Sequence, residues 1–273
     1  MKFSIYHKIN LIILCSLYMT ACQKVIDVDV RDAEKKYVIE AVVTDEADGS
    51  FVKISRTQNI SETDPPPAIT GADIRVTDDA GIITIFQEAN PGNYKAPGFA
   101  GTSGKTYELE VNIQGELFTA QCKMPGKVSF DTLYVTDEIL FGETRKLANI
   151  AFQDPPGKGQ AYRYVQYIND KKSDAIFTNN DDYVDGKYIE TKLWYFIDDE
   201  DDKEEEEITV GDTVLIEMQC IDPQIYQYWF SVFQSATGNS QSASPANPVS
   251  NMRGGALGYF SAHTVQRRSV KVE

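Results

Sequence analysis

Between residues 37 and 123 the chain is a series of short apolar and β-branched runs in which every second residue is hydrophobic. Tyr37 to Thr44 (YVIEAVVT) and Phe51 to Arg56 (FVKISR) flank a turn-rich gap holding Asp48-Gly49. Ala72 to Thr77 and Ile82 to Gln87 flank Asp78-Asp79-Ala80-Gly81, and Thr106 to Ile113 and Leu117 to Lys123 flank Gln114-Gly115-Glu116. A period of two interrupted by glycine and aspartate predicts strand, turn, strand units. Pro65-Pro66-Pro67 lacks three successive backbone donors and predicts an exposed extended crossing. About seven short strands with turns every eight to twelve residues predict a β-sandwich over residues 37–125.

A boundary is expected at Met124-Pro125-Gly126-Lys127. Beyond it, Ser129 to Thr136, Leu147 to Asp154, Ala161 to Asn169, Lys187 to Ile197 and Ile208 to Ile221 are again rich in Tyr, Ile, Val and Phe, and predict a second, β-rich domain over 126–273. The fold class expected is therefore mainly β, two sandwich-like domains of immunoglobulin or transthyretin type with one helix in the second. That helix is placed at 223–236: Asp222-Pro223 supplies an N-cap and a proline at the first helical position, and Ile225, Tyr226, Trp229, Phe230 and Phe233 recur at helical spacing. Its aromatic stripe is expected in the core rather than as a ligand platform. Gly254, Gly255 and Gly258 predict a tight turn or a close backbone approach before a last strand, Tyr259 to Val265.

The first residues follow a different pattern. Met1 to Asn10 holds Lys2 and Lys8 and no acid, Leu11 to Met19 is almost wholly apolar, and Thr20-Ala21-Cys22 closes the run with small residues. This is the order of a signal peptide over 1–21, and its apolar run is under half of the roughly 20 residues a membrane-spanning helix needs. Cysteine directly after Thr20-Ala21 resembles a bacterial lipobox, so Cys22 is expected to be acylated and residues 22–36 to form a lipidated tether.

Once the signal is removed, about 24 basic residues face 41 acidic ones, an excess of acid that opposes contact with nucleic acid or anionic head groups. The lipid on Cys22 is left to hold the protein to a membrane. Loss of Cys15 and acylation of Cys22 leave Cys122 and Cys220, which either pair or stay as buried thiols. Only His263 remains of the two histidines, so neither a two-histidine zinc site nor a C-x-x-C cluster is present.

Four stretches invite a chemical reading. Gly101-Thr102-Ser103-Gly104-Lys105-Thr106 lacks the spacer of a phosphate loop and runs into a strand instead of a helix. The acidic run 198–207 (DDEDDKEEEE) offers hard oxygen ligands for calcium, yet a contiguous like-charge run is expected to be a solvated loop. Asp181-Asp182-Tyr183-Val184-Asp185-Gly186 superficially matches a calcium-binding loop, but Tyr183 and Lys192 fall where ligands are required, so Asp185-Gly186 is read as a hairpin turn. His263, flanked by Ser261 and Thr264, is the lone candidate base, and no G-x-S-x-G elbow accompanies it. No catalysis, metal or cofactor is expected.

Several stretches taken together resemble one family in order: Thr20-Ala21-Cys22 with Val25-Ile26-Asp27-Val28-Asp29, the triple proline leading to Gly71-Ala72 and Val76-Thr77-Asp78-Asp79, Pro91-Gly92-Asn93-Tyr94, Gly104-Lys105-Thr106-Tyr107, and Asn251-Met252-Arg253-Gly254-Gly255 to Gly258-Tyr259-Phe260. The family is the Bacteroidota outer-membrane lipoproteins known as domain of unknown function 4249. The resemblance implies a two-part β-rich body anchored in the outer membrane and an association with a TonB-dependent outer-membrane transporter, as an accessory binding subunit in nutrient uptake. A structural envelope lipoprotein without ligand and a surface hydrolase are the rival readings. Gln23-Lys24 stand where surface-exported lipoproteins of that phylum often carry acids, which leaves the face of the membrane open. Asp131-Thr132-Leu133 and Asp212-Thr213-Val214 also resemble the short motif that phylum uses for O-linked glycans, making Thr132 and Thr213 candidate acceptors.

Overall fold

β-Strands dominate the computed structural model, which describes residues 34–59, 62–140, 142–194, 207–236 and 247–273. Cys22, the expected signal over 1–21 and the expected tether as far as residue 33 lie outside them, as does the acidic run 198–207 except Glu207. The strands are β1 (Tyr37–Thr44), β2 (Phe51–Arg56), β3 (Asp73–Asp78), β4 (Ile83–Asn90), β5 (Asn93–Lys95), β6 (Thr106–Ile113), β7 (Glu116–Lys123), β8 (Thr132–Leu140), β9 (Glu143–Gln153), β10 (Ala161–Ile168), β11 (Lys171–Lys172), β12 (Phe177–Asn180), β13 (Tyr188–Lys192), β14 (Thr213–Ile221) and β15 (Leu257–Lys271). Among the described residues one α-helix, α1 (Pro223–Ala236), falls where the capping signal predicted it. Asp222 caps it through its carboxylate, which accepts from the Gln224 N–H at 2.8 Å.

Twelve strands form one mixed sheet, whose main path runs β11-β10-β14-β15-β1-β2-β5-β4-β3-β6-β7 with β12 beside β10; β13-β9-β8 form a second, smaller sheet. The expected hairpins are present. Across Gln114-Gly115, both with positive φ, β6 pairs β7 in full register from Thr106↔Lys123 to Ile113↔Glu116. One pairing has no local cause: β15 lies antiparallel to β14 on one side and parallel to β1 on the other, Val38↔Leu257 through Thr44↔His263. The main sheet therefore crosses the boundary expected near Met124 to Lys127.

The described residues form two buried clusters. One gathers mainly from 37–124, with Ile39, Leu109, Ile113 and Met124 fully enclosed, and takes in Ile225 of α1 and Phe260 of β15. The other gathers from 128–272 around Phe130, Phe152, Tyr162 and Tyr164.

Three sequence expectations are corrected. The strand expected over Ile208 to Ile221 is not continuous: β14 begins at Thr213, and Ile208 makes only an isolated bridge to Lys146. Asp185-Gly186 turns the chain, with Gly186 at φ +67°, but closes no hairpin, because β12 pairs with β10 in the main sheet and β13 with β9 in the small one. The helix stripe is split rather than buried throughout. Ile225 is enclosed, whereas Phe230 and Phe233 stay 42% and 40% exposed and border a groove of about 220 Å³ with Trp194.

Candidate functional site

Strand periodicity builds a cavity on one face of the main sheet. On β15 the residues Tyr259, Ser261, His263, Val265 and Arg267 alternate onto one face. The neighbouring strands add Glu40, Val42 and Thr44 from β1, Glu217 and Gln219 from β14, and Arg163, Val165 and Tyr167 from β10. Tyr228, Trp229 and Val232 of α1 form the opposite wall, leaving a cavity of about 550 Å³. The parallel seam between β1 and β15 lies in its floor, so residues some 220 positions apart in sequence meet there.

α1 is held over this floor by aromatic contacts. Tyr228 and Trp229 meet the Tyr259 ring with centroids 4.8 and 5.2 Å away, and the Arg163 guanidinium lies over the Trp229 ring at 3.8 Å. Burial pushes the Tyr228 phenol up to about 12, and Glu40 adds to the shift.

The charged groups divide into a closed network and a remainder. Arg267 reaches Glu217 through Nη2 at 2.7 Å and Glu46 through Nη1 at 2.7 Å. Glu217 is nearly enclosed and accepts a further bond from Gln219 Nε2 at 2.6 Å. Arg163, partly buried, donates from Nη1 to the Gln219 side-chain Oε1 at 3.1 Å, while its Nε is sealed from solvent without an acceptor. Burial lowers its pKa from the ordinary arginine value, against the pull of Tyr259 and Glu217.

His263, singled out in the sequence as the lone base, lies in this cavity wall, with Nδ1 at 2.8 Å from Ser261 Oγ. Only 4% of the residue is exposed, and burial together with the Arg163 charge lowers its pKa to about 3, Asp45 pulling weakly the other way. The imidazole is neutral at physiological pH. Thr264, the other flanking residue, points to the opposite face of the strand by the same periodicity.

Other sequence-predicted positions lie elsewhere. Cys122 and Cys220 are both free and buried. Burial pushes the Cys122 thiol up to about 12 and raises Cys220 as well, which makes both poor nucleophiles. Lys105 of the glycine-containing loop is paired with Asp78, so it serves a turn rather than a phosphate. Thr132 opens β8 and Thr213 opens β14, and both are exposed.

Asp181 and Asp185 of the rejected calcium-type stretch do converge, joined by Asp154 from a distant segment, with one oxygen from each within 4.8 Å of the others. Sequence spacing could not have revealed the third member. The chain itself supplies donors here: Gly159 and Gln160 N–H to Asp181, Gly157 N–H to Asp185, and Gly186 N–H with the Tyr162 hydroxyl to Asp154. These bonds fasten the loop after β12 onto the segment between β9 and β10.

The sequence reading missed Arg163, Glu217 and Gln219. The available signal was a charged and an amide side chain inside each of two otherwise apolar strands, Arg163 and Gln166 in AYRYVQYI and Glu217 and Gln219 in TVLIEMQCI. No curated protein matches this chain in sequence. Residues 23–269 match the family described as domain of unknown function (DUF4249), nearly the whole chain, and the protein belongs to that family.

Proposed function

We propose that this protein is a lipid-anchored lipoprotein of the Bacteroidota outer membrane that binds a small ligand as the accessory subunit of a TonB-dependent transporter. The observation that carries the binding reading is the 550 Å³ cavity, in which aromatic rings of α1 face a short set of convergent polar groups on the sheet. A purely structural envelope protein has no use for such a recess. The anchor is the thiol of Cys22, in the lipobox of the sequence.

Binding is favoured over hydrolysis even though Ser261 and His263 are hydrogen-bonded. A general base works best with a pKa near the operating pH, and His263, held at about 3, would take a proton from a serine only feebly. Arg163 beside it opposes the imidazolium that such a step creates.

Mild detergent extraction followed by affinity purification tests the role. Wild-type protein should bring down a large outer-membrane barrel, whereas Cys22→Ala should lose fatty-acid label and leave the membrane fraction. Wild-type protein recovered without a barrel, or a Cys22→Ala protein still labelled and membrane-bound, would sink this reading.

We propose in addition that Thr132 or Thr213 carries an O-linked glycan, since both hydroxyls are exposed at the first residue of a strand after an aspartate. Intact-mass measurement of native protein should show added hexose mass, lost in the Thr132→Ala, Thr213→Ala double variant. An unmodified wild-type mass excludes it.

A further inference from the structure

The six charged residues of the cavity are not equivalent. Glu46 and Glu217 are both committed to Arg267, each within 2.7 Å of a guanidinium nitrogen. That leaves Arg163 with only neutral groups in direct contact: the Gln219 side-chain Oε1 at 3.1 Å and the Trp229 ring beneath it, with a sealed Nε that has no acceptor. Among the described residues no carboxylate comes within ion-pair distance of it. Taking a guanidinium out of water without a counter-ion is costly, and arginine cannot escape the cost by losing its proton. The neighbouring His263 is neutral and offers no compensation.

From this imbalance, and resting on the binding reading above, we infer that Arg163 is the anchor for the ligand and that the ligand is a small molecule bearing a single carboxylate. A planar guanidinium presents paired donors that match a carboxylate, and stacking on Trp229 fixes the plane in which they lie. The local charge chooses between anions. Glu40 also lines the cavity and Glu217 acts on Arg163 at longer range, so a monoanion gains from Arg163 while a dianion such as phosphate meets repulsion as well. The remaining lining cation, Lys172, is exposed and lies opposite Tyr167, four residues along β10 from Arg163. The rest of the ligand would lie between the Tyr228 and Tyr259 rings and the Ser261 hydroxyl, a setting for a body with both apolar and hydroxylated faces.

Calorimetry and thermal melts of the detergent-solubilised full-length protein test this with matched probes: glucuronate beside glucose, benzoate beside benzamide, and inorganic phosphate. At least one carboxylate should bind saturably and raise the melting temperature, with its uncharged partner and phosphate binding at least about tenfold more weakly, the discrimination expected when a charged hydrogen bond is lost. Arg163→Gln should remove the preference for acid over uncharged partner, and Arg163→Lys should restore part of it. Glu40→Gln should tighten carboxylate binding and weaken the exclusion of phosphate, a gain that misfolding cannot produce. If Arg163→Gln does not fold, the wild-type contrast and the Glu40→Gln gain decide the matter. Equal binding of each acid and its uncharged partner, binding of none of the probes, or tighter binding of phosphate overturns the inference. Barrel co-purification is unaffected by those results, so a cavity that prefers glucose would end the carboxylate assignment and leave the accessory role standing.

Discussion

Gly258→Ala is expected to abolish stable folding, because the parallel seam that joins β15 to β1 has no room for a methyl group. Gly258 sits opposite Ile39 in that seam with φ +96°, a conformation other residues adopt only under strain. A Cβ there would overlap the Ile39 carbonyl oxygen and lie 2.8 Å from its carbon and 3.0 Å from its nitrogen. All three atoms are backbone of a central strand whose Ile39 side chain is fully enclosed, so neither partner can yield without opening the sheet. The cost should exceed about 4 kcal/mol, in the range reserved for core disruption and comparable with the whole stability of many domains. Gly255→Ala is the control: its φ is +91°, but nothing lies within 4 Å of the added carbon, so only the strain of roughly 1–2 kcal/mol applies. Urea unfolding of the two variants separates sterics from strain. Equal losses would show that the seam can open to admit a side chain.

The same seam marks the limit of what the sequence could disclose. Hairpins such as β6–β7 were legible because the cause is local: alternating residues on either side of Gln114-Gly115, a turn that demands positive φ. α1 was legible to the residue because Asp222-Pro223 caps it and Ile225 starts its apolar face. The glycine cluster at 254–258 disclosed that a backbone must come close, and Gly254 against Leu117 and Gly258 against Ile39 are those approaches. It could not say which backbone. Parallel pairing of strands about 220 residues apart is decided by the packing of whole sheets, which leaves no mark at either strand alone. Asp185-Gly186 failed as a hairpin for the same reason: the turn chemistry was read correctly, but the flanking strands find partners in different sheets. His263 was found because it is the one histidine outside the expected signal segment, and its contact with Ser261 follows from strand period. Arg163 was hidden because one basic residue in an apolar strand resembles an exposed edge position until α1 is seen to cover it.

His263 should make the protein sensitive to mild acid. In the folded chain its pKa is about 3, lowered by burial and by Arg163 of β10; Asp45, beyond the end of β1, pulls it up, and Ser261 occupies Nδ1. In the unfolded chain it returns to about 6.5. Between those values the unfolded state binds a proton that the folded state refuses, so unfolding free energy rises with pH through the window from about 3 to 6.5 and levels off above it. Acidification from pH 7 to pH 4.5 should therefore cost about 3 kcal/mol through this one residue, at 1.36 kcal/mol for each unit below 6.5. The lowered carboxyls of Asp78, Glu138 and Asp212 act in the same direction but further down, below their ordinary carboxylate values, so they contribute little between pH 7 and pH 4.5. Urea unfolding at pH 7 and at pH 4.5 of wild type and His263→Gln measures the difference. Glutamine keeps a polar group beside Ser261 and carries no titration, so the variant should lose much less stability on acidification than wild type and become the more stable of the two relative to its own value at pH 7. Parallel losses in the two proteins would mean that the imidazole takes up its proton without unfolding, by the cavity admitting water around it.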